Sequence, residues 1–173
     1  MSKRRVITDR AYAHFVTFSC HKRRQLLQPD RTKKIVMAAL DEEIRRHEGC
    51  CIGFVIMPDH VHAMIWLPES QAISSFMDRW KERSSKRIQA YYKQHFATYW
   101  SKLEDNHVWQ ARYYDFNIES SSKVEEKLAY MHANPVRAGL APRPEDWPYS
   151  SARYYSLSTS VGVKISSPAG AFE

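Results

Sequence analysis

The chain is short of cysteine, of acidic residues and of long apolar runs, and each shortage excludes something. Its three cysteines are Cys20, Cys50 and Cys51. An odd number, two of them adjacent, makes a poor disulfide framework, so they read as structural thiols in a reducing cytosol. The absence of any C-x-x-C spacing argues against a cysteine zinc site. No apolar run approaches the ~20 residues of a membrane-spanning helix. The opening MSKRRVITDR is basic but lacks the apolar stretch of a signal peptide. Neither a lipidation signal nor a basic amphipathic anchor is found, which argues against a membrane surface as partner. Asp and Glu total 19 against 26 Lys and Arg, a net charge of +7, and that excess favours a polyanionic partner. There is no internal repeat.

What is present suits one globular domain. The chain has 173 residues, of which 43% are hydrophobic, enough to bury a core. AHFVTFSCHKR, from Ala13 to Arg23, is β-branched and aromatic and predicts a strand. In PDRTKKIVMAALDEEIRRHEG, the residues Ile35, Val36, Ala39, Leu40 and Ile44 recur at helical spacing between Pro29 and Gly49. CCIGFVIM and HVHAMIWLP predict two strands joined at the turn signal Pro58-Asp59. A long helix is expected from about Ser70 to Tyr92, with Phe76, Trp80, Ile88 and Tyr91 as apolar contacts. VWQARYYDFNI predicts a fourth strand. ESSSKVEEKLAYMHANP predicts a serine-capped helix ending near Asn134-Pro135. The order β-α-β-β-α-β-α predicts an α+β fold of the ferredoxin-like split β-α-β type, an antiparallel sheet with helices on one face. Residues 1–155 would form the single domain. Residues 156–173, rich in Ser, Gly and Pro, would be a flexible C-terminal tail.

Two stretches carry chemistry. In VIMPDHVHAMIWLP, strand alternation puts His60, His62, Met64 and Trp66 on one face. Two imidazoles side by side on a strand chelate a divalent ion, being neutral near pH 7. A pair of partly buried, hydrogen-bonded histidines explains an isolated H-x-H equally well. In KLAYMHANPVRAGL, Val124, Leu128 and Met131 make one helical stripe, the expected core face. Tyr130, Asn134, Lys123 and Lys127 lie on its flank, presenting a phenol, a carboxamide and two ammonium groups together. Taken alone, the stretch is better read with Tyr130 as an amphipathic packing residue and Asn134 as a C-cap before proline. Taken with the histidines, the set suggests phosphoryl transfer. A divalent ion polarises a scissile phosphate and a phenolate attacks it to form a phosphotyrosine. A free phenol keeps its proton at neutral pH, and a nearby cation such as Lys127 favours the phenolate.

The motifs MPDHVH, VWQARYYD, YMHANPVRAGL and DWPYSS, in that order, resemble those of the REP-associated tyrosine transposases, members of the single-tyrosine HUH nuclease superfamily. The resemblance runs from about Ala11 to Ser151. It implies that His60 and His62 are metal ligands, with Val61 as the hydrophobic residue between them, and that Tyr130 is the nucleophile. Asn134 falls where related enzymes often place Gln as a polar third ligand. The implied ion is Mg²⁺ or Mn²⁺. The implied reaction is cleavage and rejoining of single-stranded DNA at a repetitive extragenic palindrome, through a covalent 5′-phosphotyrosine and a free 3′-OH. A bacterial, cytoplasmic, nucleoid-associated enzyme is implied, with a monomer favoured over a homodimer. Tyr114, in ARYYDFN, is the runner-up nucleophile.

Two basic clusters, HKRRQ and RWKERSSKR, suggest contacts to a single strand or a hairpin. Lys22, Arg23, Arg24, Arg79, Lys81, Arg83, Lys86, Arg87 and Lys127 are the candidate DNA-binding residues. Trp109 and Trp147 read as packing residues. The main alternative is a catalytically silent DNA-binding or regulatory module of the same fold. A metal-dependent hydrolase with no covalent intermediate is a third reading, separable by Tyr130→Phe.

Overall fold

The computed structural model describes residues 12–170 and Phe172, without the side chain of Ser70. The basic N-terminal stretch and Ala11 lie outside the described residues. Strands β1 (Ala13–Ser19), β2 (Cys50–Ile56), β3 (His60–Trp66) and β4 (Tyr114–Ile118) form one antiparallel sheet in the order β2-β3-β1-β4. The helices are α1 (Asp30–Arg46), α2 (Ile73–His95), α3 (Ala97–Ser101), α4 (Ser121–Arg137) and α5 (Ala152–Leu157). The α+β class and the antiparallel sheet are as the sequence predicts. At Pro58-Asp59 the β2–β3 hairpin closes, where Met57 N–H donates to the His60 carbonyl at 2.8 Å. Among the described residues no helix is long and apolar enough to cross a membrane.

The helices divide between the two faces rather than sharing one. Val16, Phe18, Val61, Ala63 and Ile65 point to the face covered by α1 and α2, where Trp80 is fully buried and its indole N–H donates to the Val36 carbonyl at 3.0 Å. The alternate residues Phe15, Val55 and Met64 point to the opposite face and pack with Met131, Val124 and Leu128 of α4. Strand residues that alternate between two apolar sets need cover on both sides, and α4 supplies the second cover. It comes in close over Gly53, where an added methyl would collide with the Leu128 side chain.

Three element boundaries differ from expectation. Helix α4 does not stop at Asn134 but carries Pro135 inside it and runs to Arg137. The stop is a Schellman turn: Gly139 has φ +72°, its N–H donates to Val136, and Leu140 N–H donates to Pro135 at 2.8 Å. Asn134 is therefore a residue of the last turn and not its cap. Strand β4 begins only at Tyr114. The preceding Val108 and Trp109 are instead drawn into the core, with Trp109 edge-on to Phe18 at 4.7 Å and donating to Ser84 at 3.0 Å. The C-terminal segment, expected to be loose, docks in part on the core: Val161, Val163 and Ile165 are buried and Ile165 bridges to Cys51 on the β2 edge. Its apolar residues, spaced two apart, suit an added edge strand.

Candidate active site

His60 and His62 share the face of β3 that α4 covers, with ring centroids 5.0 Å apart. Each ring is tied back through Nδ1. His60 Nδ1–H donates to Asp59 Oδ1 at 2.7 Å, and Asp59 Oδ2 in turn holds the Arg23 guanidinium at 3.1 Å. His62 Nδ1 lies 2.7 Å from Thr17 Oγ1, its cross-strand partner in β1. Both anchors leave Nε2 as the ring nitrogen available to a ligand. An imidazole oriented by a carboxylate or hydroxyl on its second nitrogen is the usual arrangement of a metal-binding histidine. Burial, then the nearby His60, Arg137, Arg23 and Lys127, push His62 down to about 3, so it is neutral and has a lone pair to offer. Among the described residues no group of three or more His, Cys, Asp or Glu is placed to hold a metal. The two neutral, oriented imidazoles suit a divalent ion.

Tyr130 comes to this face from α4. Its ring centroid lies 5.7 Å from that of His62 and 6.3 Å from that of Phe15, and the residue is 45% exposed. Helical spacing aims the Val124–Leu128–Met131 stripe into the core and turns Tyr130 toward the rim, as the sequence pattern predicts. Two cations flank the phenol ring: the Arg137 guanidinium at 4.8 Å and Lys127 Nζ at 5.7 Å from its centroid. Asn134 follows one turn later. Its Nδ2 donates to the Tyr130 carbonyl at 3.2 Å, and Arg137 donates to the same carbonyl at 3.1 Å. Those bonds engage the amide nitrogen of Asn134 and not its carboxamide oxygen. The rival Tyr114 pairs with Thr17 in the β4–β1 ladder, so it shares the histidine face at the sheet edge and is 56% exposed. Tyr113 faces the other way and packs against the α1–α2 core.

The cationic residues separate into two sets. Lys127 and Arg23 stand at the histidine face, Arg23 in a turn where both it and Lys22 have φ near +55°. Most of the others are committed to partners. Arg24 pairs with Asp105 at 2.9 Å, Lys22 with Glu104 at 3.0 Å, and Lys86 with Glu82 at 2.7 Å. Arg83 and Arg87 hold Glu42 of α1, each at 2.9 Å. Lys81 donates to the carbonyls of Gln110 and Ala111 at 2.7 and 2.9 Å. Arg79 is exposed on α2. The α2 cluster thus belongs to the α1–α2 layer, across the sheet from the histidines.

Four participants were not evident from sequence: Thr17, Asp59, Phe15 and Arg137. Arg137 stands seven residues after Tyr130, two helical turns, and that periodicity would have found it once Pro135 was accepted inside the helix. Asp59 precedes His60 directly. Thr17 is visible only through the β1–β3 register. Trp147, read as a packing residue, is held in place with its indole N–H on the Ile56 carbonyl at 3.0 Å. The cysteines are free, and burial pushes the Cys20 thiol up to about 12.

Comparison with known proteins bears on this geometry. The family profile described as "Transposase IS200 like" matches residues 7–134. An Escherichia coli REP-associated tyrosine transposase is 29% identical over 99 residues, 57% of this chain and 52% of that protein. A Haemophilus influenzae protein, named as a candidate of the same kind, is 25% identical over 134 residues, 70% of this chain and 73% of its own length. Among solved structures, a REP-associated tyrosine transposase bound to a REP hairpin superposes with a TM-score of 0.65 at 22% identity, covering 100% of this chain and 98% of the other. A candidate transposase from Deinococcus radiodurans gives 0.52 at 17% identity, covering 75% and 95%.

Proposed function

Because the chain belongs to the IS200-like transposase family, we propose that it is a metal-dependent endonuclease and strand transferase for single-stranded DNA at repetitive extragenic palindromes, working through a covalent 5′-phosphotyrosine on Tyr130. The observation that carries this reading is one juxtaposition. Two imidazoles with Nδ1 anchored and Nε2 available stand beside an exposed phenol, 5.7 Å from the His62 ring, between two cations. The names of the relatives support the DNA substrate.

His60 and His62 would bind the ion through Nε2, with the Asn134 carboxamide oxygen as third donor. Mg²⁺ or Mn²⁺, when bound, supplies Lewis acidity to a phosphate oxygen. The remaining work falls to the chain itself. Arg23, Lys127 and Arg137 hold phosphates on either side of the scissile bond. Tyr130 Oη attacks phosphorus; the new O–P bond forms as the bond to the 3′-oxygen breaks. The phenolic proton passes to solvent, and the departing 3′-oxygen takes one up. One phosphodiester is exchanged for another ester of phosphate, so a different 3′-OH reverses the step and joins a new strand. The histidines and Tyr130 meet within one chain, which supports action as a monomer. Work on the nucleoid in the bacterial cytoplasm follows from the substrate.

The test is a denaturing gel. The wild-type protein, incubated with labelled single-stranded hairpin DNA and Mn²⁺, is expected to form a covalent adduct that EDTA and Tyr130→Phe both abolish. Hairpin binding with no adduct would make the protein a binding module instead. Cleavage that survives Tyr130→Phe would move the nucleophile to Tyr114 or to water.

A further inference from the structure

Tyr114 and Phe116 stand exposed on the histidine face, and the reaction above leaves them without a role. They are 56% and 37% exposed, on a strand that among the described residues has β1 on one side and an open edge on the other. Their partners in the β1 ladder are Thr17 and Phe15, so both rings stand on the side of the sheet that carries His62 and Tyr130. Water-exposed aromatic rings beside a phosphate-handling site call for a planar, apolar-faced occupant.

We infer that Tyr114 and Phe116 form a stacking platform for one unpaired base of the DNA, next to the nucleotide whose phosphate meets Tyr130; this deepens the function proposed above and rests on it. Side chains two apart on a strand stand about 6.6 Å apart. That is close to twice the ~3.4 Å stacking repeat of DNA bases, the gap that one base fills between two rings. Charge completes the fit. Lys127 Nζ lies 5.2 Å from the Phe116 ring centroid and 5.7 Å from that of Tyr130. One ammonium thus spans the platform and the nucleophile, where the phosphate linking the stacked nucleotide to the scissile one would lie. A base in a duplex has both faces covered by its neighbours, so only an unpaired nucleotide can use the platform. Single-strand selectivity would then arise at the edge of the sheet and not at the metal. Every base has a π-face, so the platform selects for strandedness without reading sequence. Two other exposed rings pack elsewhere, Tyr99 against Tyr92 and Tyr154 against Tyr155.

The test compares two hairpins with the same stem, one blunt and one with a short single-stranded foot carrying 2-aminopurine. Wild type is expected to bind the footed hairpin more tightly and to quench the fluorophore. Tyr114→Leu and Phe116→Leu should each lose that preference by about 5- to 150-fold, the range for removal of one stacking ring. Tyr114→Phe keeps the ring and should keep the preference, as should Tyr154→Leu. Thermal melts confirm that the exposed-site variants fold. The inference is overturned if wild type shows no preference for the foot, or if the Leu variants retain it. It is also overturned if those variants change the sedimentation of the protein instead, since the edge of β4 is then a contact between copies. Binding is read without cleavage, so a failed platform leaves the adduct assay intact. A failed adduct assay alongside a wild-type foot preference that the Leu variants lose would sink the catalytic reading and spare the binding surface.

Discussion

Thr17 Oγ1 sits 2.7 Å from His62 Nδ1, across the β1–β3 ladder, and fixes the ring that faces Tyr130. Thr17→Val keeps the shape and removes the hydroxyl. The ring then loses its orienting partner and a tautomer preference. Loss of such a partner typically lowers metal affinity or activity by about 10- to 100-fold. The Mn²⁺ concentration giving half-maximal adduct should rise accordingly, with hairpin affinity unchanged in EDTA. An unchanged Mn²⁺ requirement would mean that the hydroxyl does not orient the ligand.

The division of cations makes a second prediction. Lys127 and Arg137 flank the phenol, whereas Arg83 and Arg87 are spent on Glu42 across the sheet. Lys127→Ala and Arg137→Ala should each reduce the slope of log affinity against log salt by about 0.7–1. Arg87→Ala should leave the slope as it is, because its charge is already matched. Equal effects from both groups would place DNA on both faces.

What the sequence could and could not convey follows from periodicity. Alternation in HVHAMIW aligned His60 with His62, and the 3.6-residue repeat in α4 separated the Met131 stripe from Tyr130; both patterns are local and both survive in the fold. The same alternation carries a second signal. Phe15, Val55 and Met64 are as apolar as their neighbours, which already requires cover on the second face of the sheet. Pro135 points to a helix end, since it removes the N–H bond to Met131 and crowds that carbonyl, yet the helix runs on to Arg137 and Gly139 provides the stop. The basic clusters misled for another reason. Whether an arginine is free depends on acids far away in sequence, such as Glu42 for Arg87, and no local pattern reports that.

A third prediction concerns the seat of α4. His132 Nε2 and Ser151 Oγ lie 2.7 Å apart, and the same fully buried hydroxyl accepts from Phe54 N–H at 3.0 Å. This joins the MHANP and DWPYSS motifs to β2, two residues from Tyr130. Ser151→Ala leaves the buried Phe54 N–H and the half-buried His132 ring without that partner and should cost about 1–3 kcal/mol. Urea unfolding measures the loss. The adduct rate should fall by more than hairpin affinity does, since the helix that carries the nucleophile loosens. A loss of stability with no change in rate would make the bond structural only.

The last prediction is acid sensitivity. Asp105 accepts from Arg24 at 2.9 and 3.3 Å and from His107 N–H at 3.1 Å, and lies 3.6 Å from Lys22. The Arg24 hydrogen bonds, outweighing desolvation, hold its carboxyl well below the usual carboxylate range. A carboxylate depressed in the folded state stabilises it fully above the unfolded value, near ~3.9, and that contribution disappears as pH falls toward the folded value. Asp105→Asn should therefore melt below wild type by a constant margin from pH 7 to about 5, and the margin should shrink progressively as pH falls below about 4. The group matters beyond stability, because Asp105 anchors both neighbours of Arg23 in the turn that presents its guanidinium to Asp59 and, through Asp59, orients His60. Asp105→Asn assayed at pH 7 should thus also weaken adduct formation, and a normal rate there would show that Asp59 holds Arg23 without help from the turn.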